Sequence, residues 1–240
     1  MAVSKAASRV PSKGRLPQNT RKPRKRPALT RERVLAAALI ILDRHGLAAL
    51  SMRRLAARLR ASPMALYNHV SSKRDLLQGI ARGLIARVDF SCQNPDWRER
   101  IRACFRALRN ACLAHPRAVH LIETIETLPA SIFEPMEITT AALGQIGADP
   151  QDALRGYFLL TNFTLGQLSY EVRGPFAGID PIMALRSGKI DRSAFPDIEQ
   201  AASIGAWDFE RAFEFGISAI LAGLEQRLIK TRRQPISGVR

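Results

Sequence analysis

The sequence has 240 residues, 46% of them apolar, with 37 Lys or Arg against 21 Asp or Glu and a formal net charge of +16. That is enough chain for one large core or two modest ones, and no apolar run approaches the ~18 residues that cross a bilayer. Cys92, Cys104 and Cys112 have no metal-ligand spacing and form no even disulfide set; they read as small buried apolar side chains, with a thiol redox sensor as the alternative.

The charge is uneven. Residues 1–30 hold nine Lys or Arg and no acid, residues 31–90 hold eleven against four, and residues 91–240 hold seventeen of each. All the excess therefore lies in the first 90 residues, which is the pattern of a polyanion-binding module attached to a neutral body. Residues 1–28 mix Lys, Arg, Pro, Ser and Gly with few large apolar residues, so they read as a disordered basic arm. The arm is either a solubilising tail or a cationic strand that tracks phosphates or enters a minor groove. A polar start with no apolar segment behind it argues against a secretory signal and for the cytoplasm.

From residue 29 to 90 the pattern is helical. Thr30 is an N-cap, Val34, Ala38 and Ile41 follow at i, i+4 and i+7, and Gly46 is a stop. Ser51 caps a second helix with Met52, Leu55, Ala56 and Leu59 facing inward. Ser62 caps a third, with Pro63 at its first position, which ends near Val70. Ser72 and Asp75 have capping-box spacing for a fourth, where Leu76, Ile80 and Leu84 recur every four residues. The third helix is too short to stand alone. Leu66 and Val70 must anchor it, with Leu55 in the same core, leaving Met64, Tyr67, Asn68 and His69 to face outward. A short polar-faced helix after a tight turn is a helix-turn-helix, sized for the major groove.

Residues 95–231 are helical again. "DWRERIRACFRALRNACLAH" carries Ile101, Phe105, Leu108 and Cys112 on one stripe, and "AVHLIETIETL" and "EPMEITTAALGQI" predict two more helices. A long helix starts at the cap Asp149 with Pro150 at N1, residues 174–206 form a Gly- and Pro-containing connection, and "AWDFERAFEFGISAILAGLEQRLI" predicts the last long helix. Residues 232–240 are a tail. No stretch alternates like a strand, so the fold class is all-α, with a helix-turn-helix domain joined to a larger helical domain.

With its "HG" stop, "SMRRLAARL", "LYNHV" and "SKRDLL", the segment 30–90 resembles the DNA-binding domain of the tetracycline-repressor (TetR) family. Residues 97–228 resemble the ligand-binding half of the tetracycline repressors through "VHL" at 119–121, "NFTLG" at 162–166 and "FEFGISAILAGLEQRL" at 213–228. The resemblance implies a homodimer that binds a palindromic operator in double-stranded DNA and leaves it when a small molecule binds. It departs at Arg60, where the family has glycine: either the turn is rebuilt, or Arg60 is retained for a phosphate.

The resemblance assigns Arg53 to the groove edge, Ser62, Pro63, Met64 and Ala65 to the groove-facing start of the recognition helix, and Tyr67 and His69 to the DNA backbone. Met64 and Ala65 suit a thymine methyl. Asn68 reads an adenine edge or is simply solvated, and Lys73 meets a phosphate beside a helix N-terminus. In the larger domain, His120 matches a histidine that ligates the magnesium carried by tetracycline, with Glu123 at i+3 in support; a lone helical histidine is otherwise structural, and Mg²⁺ prefers oxygen. A divalent metal carried with the ligand is the one cofactor implied. Asn162 stands where "HFTLG" has histidine, Tyr170 where the partner supplies a carboxylate, and Cys104 and Leu108 where a polar residue and an aromatic stand. These changes argue against tetracycline and for a mostly apolar pocket lined by Phe163, Tyr170, Leu108 and His120.

Three functions stay open on sequence alone. The first is a ligand-responsive repressor, with the helices at 149–173 and 207–230 as its dimer bundle. The second is a DNA-binding dimer that senses nothing. The third is a helical enzyme fused to a DNA-binding domain, against which no nucleophile–base set or metal motif is present.

Overall fold

The computed structural model describes residues 28–122, 124–127, 129–173, 187–188, 191–202 and 208–233. Almost all of the basic arm, Glu123, most of the 174–206 connection and the end of the tail lie outside these residues. Among the described residues there are helices and turns and no strands. In chain order the helices are α1 (Arg31–His45), α2 (Met52–Leu59), α3 (Pro63–Tyr67), α4 (Lys73–Ile85), α5 (Trp97–Leu113), α6 (Val119–Ile122), α7 (Phe133–Gln145), α8 (Pro150–Arg173), α9 (Pro196–Ala202) and α10 (Phe209–Arg233).

Local chemistry sets most boundaries. The hydroxyls of Thr30, Ser51, Ser62 and Ser72 accept the backbone N–H three residues on, at 3.0–3.3 Å, each satisfying a donor the first helical turn leaves orphaned. Asp149 accepts from the Gln151 and Asp152 amides at 2.8 and 2.9 Å, and Gly46 ends α1 with φ 76°. Two helices are shorter than their sequences predict. α3 ends at Tyr67, and Val70 closes it through an N–H bond to the Leu66 carbonyl at 3.0 Å. The helix expected over "AVHLIETIETL" stops at Ile122. There the Gln78 carboxamide of α4 donates to the Thr124 carbonyl and accepts from the Glu126 amide, so a tertiary partner takes groups that a continuing helix would use itself.

Two cores form. Val34, Ala38, Leu42, Leu50, Leu55, Leu66, Val70, Leu76 and Ile80 make the first, joined by Ala118 and Leu121 from the α6 region. Ile101, Phe105, Leu143, Leu160, Leu168, Phe213, Ile217 and Leu221 belong to the second. Each large side chain buried this way contributes roughly 1.5–3 kcal/mol. Ile125 packs against both cores. Across the same seam His115 Nδ1 lies 2.8 Å from Asp43 Oδ2, and Arg117 donates to the Asp43 carbonyl at 3.1 Å.

One ion pair braces the base of α3. The Arg31 guanidinium donates to both oxygens of Asp75, at 2.6 and 3.1 Å, and to the His69 carbonyl, while the Ser71 amide donates to Asp75 at 2.9 Å. The hydrogen bond from Arg31 comes first among the causes that hold the Asp75 carboxyl at about 2. A carboxyl depressed below its ordinary value of ~3.9 stabilises the fold above about pH 4, and that contribution disappears as pH falls toward the folded value. Asp75→Asn should therefore lower unfolding free energy by about 2 kcal/mol at pH 7. In urea unfolding the gap from the natural protein should shrink progressively from about pH 4 down to about pH 2; a gap that stays constant over that range contradicts this.

Candidate functional site

The α2–turn–α3 unit is fixed from below and open above. Leu55, Ala56, Leu66 and Val70 are buried in the first core, while Arg53, Ser62, Pro63, Met64, Tyr67, Asn68 and Lys73 are exposed and Ala65 and His69 are half-buried. All nine sequence-assigned residues thus keep access to solvent, seven of them fully. Met64 is 74% exposed, the most open large apolar side chain on this unit. An exposed methionine beside an exposed tyrosine has no solubility rationale and suits contact with base methyls and backbone. Ser62 uses one lone pair of its oxygen to cap α3, which leaves its hydroxyl proton to donate toward a duplex.

The turn is not rebuilt around Arg60. The Ala61 amide bonds to the Ala56 carbonyl at 3.0 Å and the Arg60 amide to Ala57 at 3.2 Å, the paired bonds of a Schellman cap whose C′ residue is left-handed. Arg60 holds that position at φ 53°, ψ 42°, the one non-glycine at positive φ among the described residues. A side chain there costs about 1–2 kcal/mol, partly offset because glycine is freer when unfolded. Arg60→Gly should therefore stabilise the protein by about 0.5–1 kcal/mol, raising the thermal midpoint by about 2–3 °C. An unchanged or lower midpoint in a calorimetric scan would show that the turn carries no strain.

The second candidate region is the inner face of α5 and α8. Cys104 and Leu108 are buried in the second core; burial pushes the Cys104 and Cys112 thiols up to about 12, which keeps these two neutral and inert. His120 is half-buried on α6, which packs against both α4 and α8. The other assignments are redistributed. Phe163 turns to α10: its ring stacks on Phe213 with centroids 5.9 Å apart, and a Cβ on Gly216 would lie 2.1 Å from its Cζ. It fills the α8–α10 contact rather than a cavity, because glycine at 216 leaves room for the ring. Asn162 and Tyr170 lie on the exposed stripe of α8 with Leu154, Phe158 and Leu159, so within one subunit they do not face the interior. Among the described residues no group of three His, Cys, Asp or Glu could hold a metal.

A polar seam was not anticipated from sequence. Arg98, Arg102, Arg106 and Arg109 run along α5 and meet Glu225, Ser218, Glu214 and Glu210 of α10 in antiparallel order. Arg109 is 3% exposed; it also forks onto Glu171 of α8 at 2.8 and 3.0 Å and lies 5.0 Å over the Phe213 ring. The signal was present as arginines every three or four residues on α5, matched by acids on the last helix, but the apolar stripe at 101, 105 and 108 dominates the reading of that segment.

A propped, polar-faced recognition helix on a basic domain, packed through α6 against a larger helical body, defines a helix-turn-helix DNA-binding protein. Residues 34–80 match the family described as bacterial regulatory proteins, tetR family, and residues 92–228 match the tetracyclin repressor-like C-terminal domain. The chain belongs to the TetR family. It is a helix-turn-helix DNA-binding transcriptional regulator of that family. An HTH-type transcriptional regulator of Saccharopolyspora erythraea is 31% identical over 207 residues, which cover 84% of this chain and 86% of that one. The structure of the Streptomyces coelicolor TetR family protein ActR in complex with actinorhodin is similar at a TM-score of 0.70 and 29% identity, over 84% of this chain and 99% of that one. That of BioQ with its double-stranded DNA operator has a TM-score of 0.59 at 27% identity, over 83% of this chain and 99% of that one. These relatives include regulators, and no described helix of this chain is long and apolar enough to cross a membrane.

Proposed function

We propose that residues 29–90 hold the operator and residues 95–231 form the dimer and take up the ligand, with α3 as the reading element. The observation that carries this is the exposure of Met64 and Tyr67 on a five-residue helix whose Leu66 is fully buried. Met64, Ala65, Pro63 and Asn68 meet base edges; Arg53, Ser62, Tyr67, His69 and Lys73 meet phosphates or the groove edge, which sets register without reading sequence. Arg60, exposed at the cap of α2, adds a phosphate contact, as does the basic arm. The exposed apolar stripe of α8, with Phe215 of α10, is the dimer face. The protein works in the cytoplasm and binds its ligand without turning it over.

The ligand enters the second core beside Cys104, Leu108 and His120. The apolar character of Cys104 and Leu108 supports a largely apolar compound over tetracycline, and ActR, a protein of similar structure, is solved with a different small molecule, actinorhodin. Any metal arrives with the ligand at His120.

Gel-shift titrations on an operator and its single-base variants test the DNA half. Tyr67→Phe should weaken binding about threefold to tenfold on every sequence, as loss of one backbone hydrogen bond does. Met64→Ala should change the ranking of variants at one base pair in each half-site. A Tyr67→Phe protein with altered preference and unaltered overall affinity would reverse this division of contacts.

A further inference from the structure

Residues 44–74 hold six arginines and one lysine and no Asp or Glu. Arg53, Arg60 and Lys73 are assigned to the operator above, and Arg74 pairs with Glu126. Arg44, Arg54 and Arg58 are left without a task. All three are exposed, and none of their guanidiniums makes a hydrogen bond or ion pair among the described residues. Along α5, by contrast, Arg98, Arg102, Arg106 and Arg109 all end on partners in α10.

The three share one flank of the DNA-binding domain. α1 packs on α2, and Arg44 and His45 close the last turn of α1. Arg54 and Arg58 stand one turn apart on α2. Arg53 and Arg58 lie on opposite sides of the buried Leu55–Ala56 face, with Arg54 on the Arg58 side. Arg117, also exposed, joins from the turn before α6 and donates to the Asp43 carbonyl at 3.1 Å. After desolvation, the charges of Arg54, Arg44, Arg117 and Arg58 hold the His45 imidazole below its ordinary value, so all four guanidiniums lie near one side chain. Asp43 is the acid of that turn, and its carboxylate is already engaged by His115 at 2.8 Å. Like charges gathered this way destabilise a fold unless an anion neutralises them.

We propose that this flank holds a second segment of duplex DNA while α3 holds the operator, through contacts of Arg44, Arg54, Arg58 and Arg117 to its phosphates. A protein partner fits less well. α2, the last turn of α1 and the 116–118 turn expose no large apolar side chain, and protein interfaces are anchored by such groups. A guanidinium fork matches phosphate oxygens. Arginines one turn apart are roughly 5–6 Å from each other at Cβ, within reach of successive phosphates on a strand that carries one charge per ~3.4 Å of axis. A duplex seated on α3 and Arg53 meets the other side of α2, so the operator leaves this flank open. The inference rests on the reading of α3 as the operator-holding element, and it adds a second DNA site that is indifferent to sequence.

The test immobilises a palindromic site selected from a random library, saturates it with the full-length protein, and offers a labelled duplex of scrambled sequence. The protein should capture the second duplex, and doubling the salt should weaken that capture about tenfold, as four phosphate contacts require. The triple variant Arg44→Gln, Arg54→Gln, Arg58→Gln should lower capture at least tenfold and flatten its salt slope to about a quarter. Its affinity for the palindrome should stay within about twofold, because no operator contact is removed. Exposed, unpaired arginines tolerate glutamine, so its thermal midpoint should move by less than about 2 °C. Undiminished capture by the triple variant, with either salt slope, overturns the inference. So does a tenfold loss of palindrome affinity in the triple variant, which would place these arginines on the operator itself. Uptake of poly-glutamate in preference to duplex would assign the flank to an acidic protein and overturn it as well. A palindrome bound with no second duplex captured sinks this inference alone, whereas failure to enrich any palindrome sinks the reading of α3.

Discussion

Phe215→Asp is expected to convert the dimer to monomers and to lower operator affinity by about a thousandfold or more, toward the level of non-specific DNA. Phe215 is 77% exposed on α10, and Leu154, Phe158 and Leu159 open toward solvent along α8. An exposed apolar stripe spanning two long helices marks an association face. A two-fold axis repeats each substitution, so one change removes two phenyl groups and adds two carboxylates. Burying each phenyl is worth about 2–3 kcal/mol, and the charges add a desolvation cost. A monomer presents one recognition helix and gains nothing from the second half-site. Sedimentation velocity beside operator titration checks both halves of the claim. A variant that remains dimeric with operator affinity within twofold of the natural protein would remove this face from the interface.

Arg109→Met should be the most damaging single change to stability, costing about 3–5 kcal/mol. Arg109 is almost fully buried and holds Glu171 through two bonds and Glu210 through a third. Methionine replaces its volume but leaves the half-buried Glu171 carboxylate without a counter-charge, which is the expensive half of a broken buried pair. At about 2–4 °C per kcal/mol for a chain of this size, the thermal midpoint should fall by about 10 °C. Adding Glu171→Gln should recover a large part of the loss. Far-UV circular dichroism melts of the two variants decide it. A fall of less than about 2 °C for Arg109→Met would place the network among contacts that contribute little.

What the sequence discloses here is mostly what local chemistry controls. Thr30, Ser51, Ser62, Ser72 and Asp149 cap helices because their oxygens bond amides two or three residues away, and such signals need no knowledge of the fold. The recognition helix is legible for the same reason, since Pro63 opens it and Leu66 and Val70 mark its buried side. Arg60 is legible only as a question: the substitution for glycine is visible in the chain, and the answer required the backbone angle. Non-local partners are not legible. Arg109 finds its acids 62 and 101 residues away, and α6 ends early because Gln78, far back in α4, claims the Thr124 carbonyl. Phe163 reads as a pocket residue by resemblance, yet the decisive neighbour is Gly216.

The account turns on one short helix entering the major groove twice, once from each subunit. Sequencing the fragments that the full-length protein retains from a random DNA library tests that most directly. The enriched sites should be palindromes whose half-sites are centred about one helical turn, roughly 34 Å, apart, and Met64→Ala should shift the preferred base at one position in each half. Retained fragments with no common sequence, or with a single unrepeated half-site, would contradict it.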